Sequence, residues 1–127
     1  LALESDVVIF DEPTAGLDAQ GVTKINKIII NLKKMGKTVI IITHNMDQVL
    51  ALADEVLVLH NKNLIKSGSP YEIFSDQQLV NKVGLVKPHV IDTISRLIKL
   101  NPRYKKLLSY QPKTVNELAI FLKKGGK

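Results

Sequence analysis

Two adjacent carboxylic acids, Asp11 and Glu12, follow directly after the apolar run of residues 7–10. Carboxylates beside a core cost free energy unless they are paired or bind a metal ion, so the pair suggests a chemical role. Because consecutive residues of a strand point to opposite sides, one carboxylate could face Mg²⁺ while the other orients a water for phosphoryl transfer. The alternative is that both residues only begin a loop and cap a turn at Pro13.

A histidine, His44, follows a second apolar run at residues 39–42. Between the two runs, residues 19–35 have the apolar spacing of a helix with one buried stripe, with Asp18 as a plausible N-cap. Strand, helix and strand predict a βαβ unit whose parallel strands are buried on both faces. Ligands of such units bind at the carboxyl ends of the strands, where we expect Asp11, Glu12 and His44.

The sequence pattern changes near Ser75 and Asp76, where strand-like runs of β-branched residues give way to the spacing of helices. Before that point we predict a helix at 46–53, a largely buried hairpin of residues 55–59 and 63–67, and a helix capped by Ser69 and Glu72. After it we predict helices only, at 77–83, 88–100 and 114–124. The sequence therefore predicts an α/β part, residues 1–75, followed by a small α-helical part, residues 76–127.

Composition limits the class of protein. The 127 residues include no cysteine, which excludes disulfides and thiolate sites, and the longest apolar runs are too short to cross a bilayer. Residues 1–75 carry a net charge of −2 and residues 76–127 one of +8. A basic part can bind nucleic acid, an anionic membrane or an acidic partner, or can simply be solvated. Lysine supplies 16 of the 18 basic residues, so we expect no specific nucleic acid partner.

Residues 7–18 read VVIFDEPTAGLD, and this string resembles the ATP-binding cassette (ABC) ATPases. It matches their Walker B strand, the glutamate that follows it, and the D-loop. Thr43-His44-Asn45 resembles the switch-histidine motif of the same family. The resemblance implies the C-terminal part of a P-loop NTPase domain with parallel strands and a β-hairpin.

Site roles follow from this resemblance. It implies that Asp11 binds Mg²⁺, that Glu12 is the catalytic base or orients water, that His44 contacts the γ-phosphate of ATP, and that Asp18 belongs to the D-loop that couples two nucleotide sites. The chain contains no Gly-x-x-x-x-Gly-Lys-Ser/Thr loop and no Leu-Ser-Gly-Gly signature. We therefore expect it to be part of a longer ATPase and to be inactive alone.

Residues 83–100 and 114–118 resemble the C-terminal region of the energy-coupling-factor ATPases. This resemblance implies an ATPase subunit of an importer for vitamins or transition-metal ions at the cytoplasmic face of the cell membrane. Its implied partners are a second ATPase subunit, held partly through residues 76–127, a transmembrane coupling protein and a substrate-binding membrane subunit. Two alternatives stay open, a noncatalytic dimerisation module and a soluble ABC ATPase that does not take part in transport.

Overall fold

A computed structural model describes residues 4–125 of the chain. Its first unit consists of strand β1 (Val7–Asp11), helix α1 (Ala19–Lys34) and strand β2 (Thr38–Ile42). The two strands pair in parallel, with Ile9 opposite Ile40 and Asp11 opposite Ile42. The predicted mixed α/β class and the βαβ unit are therefore confirmed.

The predicted start of α1 after Asp18 is confirmed, and the helix ends at Lys34, one residue before the predicted end. The side chain of Asp18 accepts a hydrogen bond of 2.8 Å from the backbone N–H of Gly21, which satisfies one of the free donors of the first turn. Beyond the last turn, Gly36 has a φ of +79°, a backbone conformation that glycine adopts without steric cost. These local interactions define the length of the crossover between the two strands.

One prediction about the parallel strands is wrong for the described chain. Helix α1 packs against the strand pair and buries Ile29 and Leu32. On alternate positions of the strands, however, apolar side chains are exposed: Val7, Ile9, Ile40 and Ile42. Because a single helix covers only one face of a two-stranded sheet, the second face of β1 and β2 remains open to solvent within residues 4–125.

Helix α2 (Met46–Leu52) leads into a hairpin of β3 (Val56–His60) and β4 (Asn63–Gly68). Its turn residues, Asn61 and Lys62, both have positive φ, which is the requirement of a type I′ turn. The predicted hairpin is confirmed, but the prediction that it is largely buried is wrong. Only one face of the hairpin packs on the core, through Val58, so Leu57, Leu59 and Leu64 are exposed.

Helices form the rest of the described residues, up to position 125. They are α3 (Pro70–Ser75), α4 (Gln77–Val83), α5 (His89–Leu100), a 3-10 turn (Pro102–Lys105), α6 (Lys106–Tyr110) and α7 (Val115–Lys123). The predicted capping box of Ser69 and Glu72 is present, and the Thr114 side chain accepts the backbone N–H of Glu117. The 3-10 turn and α6 were not predicted, because segments of four and five residues are too short to show helical periodicity.

The main hydrophobic core joins residues from both sides of position 75. Leu50, Tyr71 and Phe74 belong to the same buried cluster as residues of α5, α6 and α7, namely Val90, Ile91, Ile94, Leu107, Leu118 and Phe121. The division into residues 1–75 and 76–127 thus stays a prediction, and the two parts share packing. In the described part of the chain, no helix has both the length and the hydrophobicity that spanning a membrane requires.

Candidate functional site

Glu12 lies where β1 ends, and its backbone has a φ of +47°. Non-glycine residues rarely adopt this conformation, so neighbouring groups must hold it. The Glu12 N–H donates to the carbonyl of Ile42 at 2.7 Å, and the Glu12 carbonyl accepts from the N–H of Ala15 at 3.2 Å. The two carboxylates are therefore separated by a sharp turn of the backbone after Asp11, and strand alternation does not apply to Glu12.

The structure brings Glu12 and His44 together. Oε2 of Glu12 accepts a hydrogen bond of 3.4 Å from the backbone N–H of His44, and Oε1 lies 3.3 Å from the ring Nδ1. The His44 side chain is 96% exposed, whereas that of Glu12 is 33% exposed. The histidine ring therefore projects into solvent from the same edge of the sheet at which the carboxylate is held.

Oε1 of Glu12 is buried, and within residues 4–125 it accepts no hydrogen bond, since Nδ1 of His44 is close to it without the geometry of a hydrogen bond. A buried carboxylate oxygen without a donor costs free energy, so it favours any donor that reaches it. A water molecule would be such a donor once the exposed His44 ring, 3.3 Å away, moves aside. The carboxylate thus offers an acceptor at the end of β1.

Asp11 is the last residue of β1 and is exposed beside this edge. A carboxylate at a strand end suits Mg²⁺, which binds one or two carboxylates and takes its other ligands from water and substrate phosphates. No group of three or more metal-ligating side chains occurs among residues 4–125. The donor set therefore fits an ion held jointly with a phosphate ligand, and it does not fit a closed structural metal site.

Asp18 interacts with its own helix and, within residues 4–125, not with the other predicted site residues. Its carboxylate caps α1, and within residues 4–125 it makes no hydrogen bond to Glu12 or His44. It is placed by two turns, in which Ala15 N–H donates to the Glu12 carbonyl and Leu17 N–H donates to the Thr14 carbonyl. The segment between the carboxylate pair and α1 is therefore a defined loop that ends in a helix cap.

Sequence reasoning missed one pair of residues near the site, Asp47 and His89. Asp47, in the first turn of α2, accepts a hydrogen bond of 2.8 Å from the His89 backbone N–H, and its second oxygen contacts the His89 ring Nδ1. This contact, followed by the negative charge of Asp47, raises the pKa of His89 above its ordinary value of 6.5. The two residues are 42 positions apart, so no local spacing could have revealed the contact.

Comparison with known proteins gives strong similarities to one class. No protein-family model matches the chain. It is 45% identical, over 94% of its length, to the energy-coupling factor transporter ATP-binding protein EcfA2 of Mycoplasmoides gallisepticum, and 47% identical, over its whole length, to EcfA2 of Ureaplasma parvum. The structure superposes on CbiO1 of Clostridium perfringens, part of the ABC transporter complex CbiONQ, with a TM-score of 0.52 and 38% identity over 76% of the chain.

The fold, the motif residues and these similarities define the class as that of the ABC ATPases. Within it, the homologues of the chain are the energy-coupling factor transporter ATP-binding proteins, and the chain matches part of them. It spans 37% and 30% of the length of the two EcfA2 relatives and 37% of that of CbiO1. The predicted family and fold class are thus confirmed for the portion that the chain covers.

Proposed function

We propose that the chain contributes the hydrolytic carboxylate and the switch histidine to an ATP-hydrolysing subunit of an energy-coupling-factor importer. The observation that carries this proposal is the Glu12–His44 contact at the carboxyl ends of two parallel strands. Phosphoryl transfer requires positioning and charge stabilisation more than covalent chemistry, and this contact supplies a fixed carboxylate next to an exposed ring.

In this proposal Glu12 orients the attacking water or accepts its proton. The support is the buried Oε1, for which residues 4–125 supply no hydrogen-bond donor, together with the backbone hydrogen bonds that hold the residue at positive φ. His44 contacts the γ-phosphate through its exposed ring, while its backbone N–H keeps Oε2 of Glu12 in place. Each residue therefore has one contact that positions it. The His44 ring is exposed to the substrate, and Oε1 of Glu12 becomes accessible to water when that ring moves.

Asp11 would hold Mg²⁺ together with the phosphates of ATP. When bound, the ion neutralises the charge of the phosphates during transfer. The exposed position of Asp11 at the end of β1 supports this role. Asp18 would belong to the loop that lies across a pair of nucleotide sites, and its placement at the exposed N-terminus of α1 is compatible with that role.

The proposed partners follow from the relatives, which are named as transporter ATP-binding proteins and as part of a transporter complex. We infer a second ATPase subunit, a transmembrane coupling protein and a substrate-binding membrane subunit at the cytoplasmic face of the membrane. Vitamins or transition-metal ions would be the transported substrates. Residues 76–127 would help to hold the two ATPases together, and exposed apolar residues of this part, such as Leu100 and Val115, support such contact.

The test begins with the gene upstream of the codon for Leu1. An open frame that encodes a phosphate-binding loop is the expected result, and the kinetic test is then made in that complete subunit. Glu12→Gln keeps the shape of the side chain but removes its charge. We expect ATP binding to persist and Mg²⁺-dependent turnover to fall by roughly 100-fold or more, since general base catalysis contributes at least that much.

The matched controls are Glu55→Gln and His60→Ala. Glu55 is exposed ahead of β3, and His60 lies at the hairpin turn. Both variants should keep wild-type turnover, whereas His44→Ala should lose it. Turnover by Glu12→Gln equal to that of Glu55→Gln would refute the catalytic assignment. A stop codon and a start codon just before Leu1 would refute hydrolysis and favour the noncatalytic dimerisation module.

A further inference from the structure

Residues on both sides of His44 form a chain of hydrogen bonds that fixes the beginning of α2. The Thr43 hydroxyl accepts the N–H of Asn45 at 3.0 Å, and the Asn45 side chain accepts the N–H of Gln48 at 3.1 Å. The His44 loop is therefore continuous with the helix, and a displacement of the first turn of α2 must displace the loop.

Two long-range contacts fix that first turn to the rest of the molecule. The buried side chain of Gln48 donates to Oδ1 of Asn26 on α1 at 2.9 Å. Asp47 accepts both the backbone N–H and the ring contact of His89, the first residue of α5. The first of these contacts lies within the α/β part, whereas the second joins it to the helical C-terminal part.

The Asp47–His89 contact lies at the surface. The same two helices, α2 and α5, also pack together through buried apolar side chains. Leu50 of α2 packs in one buried cluster with Val90 and Ile91 of α5. A groove of about 340 Å³ is lined by residues of α1, α2, the first turn of α5 and the segment at the start of α7, and Asp47 and His89 are among them. The contact therefore joins the first turns of two helices beside a groove.

We propose that the Asp47–His89 contact is a positioning contact that couples the helical C-terminal part to His44. Through this contact, the first turn of α5 fixes the position of the first turn of α2. Because the His44 loop is continuous with α2, the contact also fixes the distance between His44 and Glu12. The consequence for ATP hydrolysis rests on the proposed function, but the coupling itself does not. Movement of α5 when a partner binds residues 76–127 would thus reach the His44 loop.

The contact also responds to pH, because His89 can lose its proton. The charged groups around His89 come from several elements. They are Asp47 on α2, Asp92 on α5, Lys87 ahead of α5, Lys113 ahead of α7, and Arg96 and Lys99 further along α5. The two carboxylates favour the protonated ring, and desolvation of the ring opposes it. Deprotonation weakens the ring contact and leaves the backbone hydrogen bond to Asp47 in place.

Nuclear magnetic resonance of the 127-residue chain tests the coupling without ATP, since the chain has three histidines and their signals can be assigned by substitution. In the wild type, we expect the His44 amide signal to show a pH inflection that coincides with the titration of His89. In His89→Gln this inflection should disappear, and the His44 signals should move. A purely structural contact would not make His44 follow the protonation of His89.

Asp47→Asn provides a second variant, in which an amide oxygen can still accept the His89 backbone N–H while the charge is lost. We expect the ring titration of His89 to move toward the ordinary value and the inflection at His44 to be lost. His60→Gln is the control, and it should leave the His44 signals at their wild-type positions. Melting curves verify that each variant is folded. The titration of the wild type tests the coupling even where a variant does not fold.

His44 signals that stay unchanged while His89 titrates would overturn the coupling and leave the catalytic proposal intact. Conversely, a complete subunit without ATPase activity whose His44 follows His89 would overturn the proposed function and leave the coupling intact. The two proposals therefore fail in different measurements.

Discussion

The hydroxyl of Tyr71 donates a hydrogen bond of 2.6 Å to the backbone carbonyl of Pro112, and the two residues are 41 positions apart. Tyr71 lies in α3, before the predicted boundary at residue 75, and Pro112 lies between α6 and α7. Burial, followed by the charge of Glu117, raises the pKa of the Tyr71 hydroxyl above its ordinary range. The hydroxyl therefore remains a donor at any pH near neutrality.

Replacing Tyr71 with Phe removes this donor and leaves a carbonyl without its partner inside the protein. We expect the free energy of unfolding to fall by about 1–2 kcal/mol, because an unsatisfied buried group pays its full desolvation cost. Urea unfolding of the chain measures the change. Tyr110→Phe is the matched control, since Tyr110 is 47% exposed and the substitution keeps its ring against Phe121, and it should change stability much less. Equal effects of the two substitutions would show that the Tyr71 hydrogen bond contributes nothing.

The 127-residue chain by itself should not hydrolyse ATP. It contains Asp11, Glu12 and His44 but no Gly-x-x-x-x-Gly-Lys-Ser/Thr loop, whose backbone N–H groups and lysine hold the phosphates. Without that loop, the carboxylates have no positioned phosphate on which to act. A phosphate-release assay with Mg²⁺ and ATP should give the rate of buffer alone. Turnover that disappears in Glu12→Gln would contradict this expectation and would mean that the chain binds phosphates by other groups.

The Asp47–His89 contact should make stability depend on pH. Because the folded pKa of His89 is raised, its contribution is complete below the unfolded value of 6.5 and is lost as pH rises through the folded pKa. We expect the difference in Tm between wild type and His89→Gln to be larger at about pH 6 than at about pH 9. Thermal unfolding at the two pH values measures it. A difference that does not change with pH would exclude a contribution from the charged ring.

Asp18 should have a structural role that can be separated from any role of its charge. Asp18→Ala removes the cap of α1 and should lower the free energy of unfolding by about 1 kcal/mol. Asp18→Asn keeps an oxygen that can accept the Gly21 N–H, so its stability should stay close to that of the wild type. In the complete subunit, loss of ATPase activity in both variants would assign a role to the negative charge. Loss in Asp18→Ala alone would assign the effect to the helix cap.

The sequence by itself determined the local structure. The capping of α1 by Asp18, the capping box at Ser69 and the hairpin turn at Asn61 and Lys62 each depend on residues that are neighbours in the chain. The motif around Asp11 and Glu12 likewise indicated the class of protein, because its residues are contiguous. Such features can be predicted since their interactions close within a few positions.

The tertiary structure alone decided which distant residues meet. It gave Glu12 its positive φ and its contact with His44, joined Asp47 to His89, and placed Tyr71 against Pro112. It also decided which apolar residues of the strands and the hairpin are exposed, since the apolar pattern does not say how many elements are available to cover them. These outcomes depend on packing between elements that are tens of residues apart, and the order of residue types along the chain does not contain that geometry.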